Sequence, residues 1–196
     1  MPVLASAVSE NFVSASTLAL GGGFMNPDII VESFGLLSGM KVADFGSGSG
    51  YFTILIAKKI GENGVVTAVD IMENALETVR ARASAGGLNN LQTIRADLEV
   101  LGGSGLADSS QDIVLLANIL FQSSKRSEIV KEAKRVLLPG GALIFIDWKK
   151  GGGGLGPPEA NRVDAQEIKS IFENEGLSFV REIDAGAFHY GLIYKK

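Results

Sequence analysis

A cluster of glycines set between an apolar strand and an amphipathic helix limits this chain more than any other feature. Residues 41–45 read as a short buried strand, and they pass directly into Gly46-Ser47-Gly48-Ser49-Gly50. A helical pattern follows over residues 51–60 and stops at Gly61. Glycine suits such a bend because a residue without Cβ tolerates the sharp turn and lets a ligand approach the backbone closely. The amides at the start of the next helix then face that ligand. Taken alone, the segment reads equally well as a plain strand-to-helix turn.

Its surroundings repeat the same alternation. Strand-like runs at 65–70, 91–95, 112–117 and 142–148 are separated by helical stretches at 73–85 and 125–138, which predicts βαβ units and a mostly parallel sheet. Asn26-Pro27 reads as an N-cap and first helical position, with an apolar face on Ile29, Ile30, Phe34 and Leu37 and a stop at Gly39. Pro139-Gly140-Gly141 is expected to break the 125–138 helix before the fifth strand. Asp164 with Glu167 resembles a capping box opening a helix to about residue 175. Residues 177–183 and 188–194 read as a hairpin across Asp184-Ala185-Gly186. Residues 1–25 are expected to form an N-terminal extension or lid helix, and 26–196 one domain. The glycine-rich stretch 149–158 reads as a loop, a second candidate lid.

Composition narrows the function classes. The 196 residues carry a formal net charge of −4, which argues against a broad phosphate-binding surface and so against nucleic acid as a partner. There is no cysteine and one histidine, leaving almost nothing from which to build a transition-metal site, so no metal is expected. The first 20 residues, interrupted by Glu10 and Asn11, form neither a convincing signal peptide nor a membrane span, and a cytoplasmic location is expected.

The glycine spacing discriminates further. It runs G-x-G-x-G with Asp44 two positions before the first glycine, rather than the G-x-G-x-x-G of dinucleotide sites. A carboxylate this close suits an ammonium or sulfonium ligand better than a pyrophosphate. Tyr51 and Phe52 stand where a phosphate-binding loop would need Lys and Ser or Thr. Asp70 ends the second strand, where an acid can accept from ribose hydroxyls, and Asp97 follows the third, where it can accept from an adenine amine. Three acids at three successive strand ends lie along the sheet edge at which open α/β sheets bind ligands.

Residues 42–50, Val-Ala-Asp-Phe-Gly-Ser-Gly-Ser-Gly, resemble the first motif of class I S-adenosylmethionine-dependent methyltransferases. Val69-Asp70, Ala96-Asp97, the run Asp112 to Asn118 and the run Arg135 to Gly141 are similar to the later motifs in order and spacing. The resemblance runs from about Asn26 to the C-terminus and is nearest to the group holding ubiquinone/menaquinone-biosynthesis and arsenite methyltransferases. It implies an α/β Rossmann-like fold with a seven-stranded, mostly parallel sheet of order 3-2-1-4-5-7-6 and an antiparallel last strand. It further implies S-adenosylmethionine as cofactor and S-adenosylhomocysteine as product. On this resemblance Gly46, Ser47, Gly48 and Gly50 line the methionine and ribose portion, and Asp44 sits near the amino group. Asp70 holds the ribose, Ile71 and Leu98 sandwich the adenine beside Asp97, and Asn118 faces the methionine tail and the acceptor.

The acceptor side departs from one family pattern. Asn118-Ile119-Leu120-Phe121 replaces the Asn/Asp-Pro-Pro-Tyr/Phe sequence by which many amino-directed members hold a planar nitrogen. Phe121, Gln122, Trp148 and Lys149 are candidates for a substrate pocket, and Asp147 and His189 for a general base. Asp147 reads more readily as a strand-end acid bonded to a nearby amide, and His189 as a structural histidine. The expected reaction is in-line methyl transfer to a small molecule. A protein or RNA methyltransferase is the alternative if the basic residues Lys125, Arg126, Lys131, Lys134 and Arg135 face the pocket. A non-catalytic S-adenosylmethionine-binding protein is another, and a nicotinamide oxidoreductase is the weakest.

Overall fold

The computed structural model describes residues 25–151 and 154–196, and the strand leading into the glycine bend lies in the middle of its sheet. That strand, β1 (Lys41–Phe45), is buried from Val42 onward. Beside it run β2 (Val65–Asp70) and β4 (Gln111–Ala117), both parallel to it. β3 (Leu91–Arg95) extends the sheet beyond β2, and β5 (Leu137–Trp148) beyond β4, again in parallel. The last two strands, β6 (Ser178–Ile183) and β7 (His189–Lys195), form an antiparallel hairpin whose second strand inserts next to β5. The order is therefore β3-β2-β1-β4-β5-β7-β6, as the resemblance implies. Strand order reverses between β1 and β4, and the crevice above that reversal is where such sheets hold ligands.

Period-two alternation sends neighbouring residues of each strand to opposite cores. Ala43, Phe45, Val114, Leu116 and Phe145 pack on one face against α4 (Arg126–Val136) and α5 (Ala165–Asn174), through Ile129, Ala133, Ile168 and Phe172. Val42, Ile113, Leu115, Ile144 and Ile146 face the other way, against α1 (Pro27–Ile30) and α2 (Tyr51–Ile60). α3 (Glu73–Ala85) covers Ala68 of β2 with Leu76 and Val79.

Several boundaries differ from the sequence expectation, each for a local reason. Asn26 does cap α1, accepting from the Asp28 amide at 3.1 Å, but the α-helix tightens to a 3-10 turn over Val31–Phe34 and ends at Gly35, not Gly39. Gly35 takes φ +70, and Leu37 beyond it is 65% exposed, so the apolar stripe stops at Phe34. α4 ends at Val136 because Leu137 already pairs with Gln111, and the register of β5 then slips before Ala142 pairs with Ile113. Pro139 and Gly140 belong to that irregularity rather than to a loop between elements. The capping box is half made. Asp164 accepts from the Gln166 amide at 2.8 Å, whereas Glu167 pairs with Arg126 at 2.8 Å. The expected lid over residues 1–25 lies outside the described residues apart from Met25.

Candidate functional site

The ends of β1, β2 and β4, together with the segment after β3, enclose a cavity of about 830 Å³. Asp44, Gly46, Ser47 and Gly48 form its floor below the glycine bend, and Asp70 and Ile71 stand on one side. Asp97 and Leu98 close another side, and Asn118 and Gln122 reach it from beyond β4. Residues separated by more than 70 positions in the chain thus meet at the reversal of strand order.

The bend is braced by β2. The amides of Gly46 and Ser47 both donate to the Val69 carbonyl, at 2.8 and 3.2 Å, and Gly48 N–H donates to Asp70 Oδ2 at 2.8 Å. Gly46 adopts φ +73, and a Cβ there would lie 2.6 Å from the Ile119 side chain, so only glycine fits. Asp70 Oδ1 accepts from Met72 N–H at 2.9 Å. Both carboxylate oxygens are oriented by backbone, and each keeps further accepting capacity. Asp97 Oδ1 accepts from Glu99 N–H at 2.9 Å, which curls the chain after β3 under the cavity. Asn118 takes φ +55, one of two positive values among the described non-glycine residues, while its amide donates to Ile146 at 2.8 Å. Backbone strain of this kind costs about 1–3 kcal/mol and collects at binding sites.

Two observations bear on what the cavity accepts. Ser47 Oγ and Asn118 Oδ1 are buried polar atoms with no hydrogen-bond partner among the described residues, and both residues line it. Native structures rarely leave such atoms unmet, so a polar ligand fits here. The charge is one-sided as well. Asp44, Asp70, Asp97 and Glu99 line the cavity, and no Lys, Arg or His is among its described lining residues. Burial pushes the Asp44 carboxyl up to about 6, against the hydrogen bond from Thr53 Oγ1 at 2.5 Å and with help from neighbouring Asp70. A cation entering the cavity reverses that trend by favouring the ionised carboxylate.

The other sequence candidates lie elsewhere. Gly50 caps α2 at φ +80, and a Cβ there would meet Val79 at 2.8 Å, so it serves helix packing rather than the cavity wall. Phe121 is half-buried against the α4 side of the sheet. Asp147 is fully buried and accepts from the amides of Trp148 at 2.8 Å and Phe121 at 3.2 Å. Burial raises its carboxyl to about 7. This matches the structural alternative for Asp147, a strand-end acid tied to nearby amides, and it does not line the cavity. Trp148 packs on His189 with ring centroids 4.1 Å apart, beneath Gly156, where a Cβ would fall 2.4 Å from the indole. Lys149 and His189 line a separate, smaller crevice.

The basic residues of α4 and its approach do not line the cavity either. Lys125 pairs with Glu99 at 3.4 Å, Arg126 with Glu167 and Lys131 with Glu175 at 3.9 Å. Lys134 donates to the Glu175 carbonyl, and Arg135 pairs with Glu132 and Asp108.

Sequence reasoning passed over Tyr51, Phe52, Met72, Glu99 and Ser123, all of which line the cavity, and Thr53, which holds Asp44. Thr53 left a signal: it is the lone polar residue on the buried face of α2, among Phe52, Ile56, Ala57 and Ile60. Glu99 left none, because its bond from Ser123 Oγ at 2.7 Å joins segments that are distant in sequence.

Known proteins share this arrangement. A crystal structure of a SAM-dependent methyltransferase from Aquifex aeolicus superposes with a TM-score of 0.80 at 28% identity, over 87% of this chain and 89% of that one. The arsenite methyltransferase of Aquipseudomonas alcaligenes is 31% identical, over 63% of this chain and 39% of its own length. A ubiquinone/menaquinone biosynthesis C-methyltransferase from Shewanella pealeana is also 31% identical, over 61% of this chain and 47% of its own length. The chain spans less than half the length of these two curated relatives. Residues 36–179 match a family model described as a methyltransferase domain. That match runs from the approach to β1 as far as the start of β6 and takes in every strand end around the cavity; the chain belongs to the methyltransferase-domain family.

Proposed function

We propose that this chain is an S-adenosylmethionine-dependent methyltransferase acting on a small, largely apolar acceptor. The observation that carries the reading is the cavity at the strand-order reversal, lined by four carboxylates and, among the described residues, by no basic side chain. That field favours a ligand bearing sulfonium and ammonium charge over a pyrophosphate. When bound, S-adenosylmethionine supplies an electrophilic methyl group for transfer to an in-line nucleophile of the acceptor, with the neutral thioether S-adenosylhomocysteine as leaving group.

The residues then divide the work. Asp70, oriented by the Gly48 and Met72 amides, accepts from the ribose hydroxyls. Asp97 accepts from the adenine amine, between Ile71 at the rim and buried Leu98. Asp44 and the bend from Gly46 to Gly48 hold the methionine end, and Asn118 Oδ1 and Ser47 Oγ gain their missing partners. Met25, Pro27, Phe52 and Ile119 provide an apolar wall for the acceptor, with Gln122 as a polar group beside it. The protein aligns the acceptor with the methyl group and excludes water, and for an acceptor that must lose a proton the bases at hand are the carboxylates of the cavity wall.

A small acceptor is supported by the names of the two curated relatives, arsenite and ubiquinone/menaquinone methyltransferases. It is supported also by the pairing of Arg126 with Glu167 and of Arg135 with Glu132, away from the cavity. No described helix is long and apolar enough to cross a membrane. Calorimetry with S-adenosylmethionine, S-adenosylhomocysteine and NADH tests the cofactor, and binding of NADH alone overturns the reading. A labelled-methyl screen over small-molecule, RNA and protein fractions of a cell extract tests the acceptor. Label confined to protein or RNA contradicts a small-molecule acceptor.

A further inference from the structure

The end of β5 and the start of β7 enclose a second crevice of about 290 Å³, which shares no lining residue with the first. Lys149, Glu182, Asp184, His189 and Tyr190 contribute to its wall. His189 is 1% exposed, and neither of its ring nitrogens has a hydrogen-bond partner among the described residues. A neutral imidazole offers one donor and one acceptor, and leaving both unmet inside a protein is costly and uncommon. The ring is held in place: His189 sits opposite Trp148 in the β5–β7 register and packs on its indole at 4.1 Å. An oriented, unpartnered ring facing a crevice calls for a ligand there.

The charges around it select the class. Lys149 Nζ donates to the Gly186 carbonyl at 3.0 Å, which leaves two of its three N–H groups to offer. Glu182 is paired with Lys169 at 3.0 Å, and Asp184 Oδ1 accepts from the Gly186 amide at 2.9 Å. The Tyr190 hydroxyl is bonded to Val163 at 3.2 Å. Burial, followed by the charges of Lys149 and Arg162, lowers the imidazole to about 4, so it is neutral near pH 7 and its N–H is a donor without a proton to gain. Each acid of the wall has one oxygen engaged, Glu182 by a cation and Asp184 by an amide, whereas the ammonium and the imidazole N–H still have donors to give.

We propose that this crevice binds the anion of a small carboxylic acid, received by the Lys149 ammonium and the His189 ring N–H. Such charge-assisted bonds are the strong class. The assignment does not rest on the methyl-transfer reading, and its test uses no S-adenosylmethionine.

The chain has one histidine and one tryptophan, and they touch, so each reports on the site without a label. Sodium acetate is titrated into the full chain at constant ionic strength, with sodium chloride as reference, while the His189 ring resonances and Trp148 emission are followed. Acetate is expected to move both signals along one saturable curve that chloride does not reproduce. Lys149→Met should lose at least about tenfold in acetate affinity, the size of one charge-assisted contact. His189→Phe, which keeps a ring on Trp148, should lose a comparable amount, read on Trp148 emission. An unsaturable drift shared by acetate and chloride overturns the proposal, as does unchanged affinity in both variants.

Discussion

Asp44 has opposite consequences for folding and for binding. Its carboxyl is raised from 3.8 to about 6 in the folded protein, so the folded state holds the proton more tightly than the unfolded chain. This group therefore adds stability as pH falls from about 6 towards 4, the reverse of a salt-bridged acid. On the proposed reading cofactor binding needs the ionised form, and affinity for S-adenosylmethionine is expected to fall about fivefold over the first full unit below pH 6. Calorimetric titrations across that range check this, and Asp44→Asn should flatten the dependence. Asp70 acts through orientation. Asp70→Ala removes the anchor of the Gly48 amide and, on the proposed reading, a ribose acceptor, and should weaken cofactor binding by more than about tenfold. Unchanged affinity would remove Asp70 from the site. The strand-end acids were legible because each stands at or just past a strand-like run, apolar before Asp44 and Asp70 and mixed before Asp97. That neither Asp147 nor Trp148 faces the cavity was not legible: both look in sequence like strand-end residues, and packing buries one and covers the other.

At the scale of elements, the loop between β3 and β4 shows how little a charge in the sequence says about burial. Glu132 on α4 reads as an ordinary surface acid, yet it is fully buried. It accepts from the Gly102 and Ser104 amides at 2.7 and 3.1 Å and from the Ser104 hydroxyl, and Arg135 clamps it at 2.7 Å. Burial alone would raise its carboxyl, but Arg135, Ser104 and the two amides outweigh it and hold the group down at about 2. Its contribution to stability is present above about pH 4.5 and is lost as pH falls towards 2. Glu132→Gln should cost about 3 kcal/mol in denaturant unfolding at neutral pH, because Arg135 is left facing a neutral group in a buried place. A loss of less than about 1 kcal/mol would mean that the loop is not anchored there. The glycine bend, by contrast, was readable because strand, turn and helix adjoin in sequence. The slip in β5 was not, since it depends on Gln111 reaching Leu137 across the sheet.

Across the whole molecule, order and charge produce one site. Reversal of strand order between β1 and β4 opens a crevice, and three carboxylates at the ends of β1, β2 and β3, with Glu99 just beyond the third, give it a negative field. Parallel strands follow from the alternation of apolar and amphipathic segments, but the insertion of β7 beside β5 is a long-range pairing that local pattern does not encode. The most direct test is a crystal structure of the full chain with S-adenosylhomocysteine. Adenine should lie between Ile71 and Leu98 with the ribose hydroxyls on Asp70 and the amino-acid end over the bend from Gly46 to Gly48. A nucleoside bound away from Asp70, or in the crevice beside His189, would contradict the account.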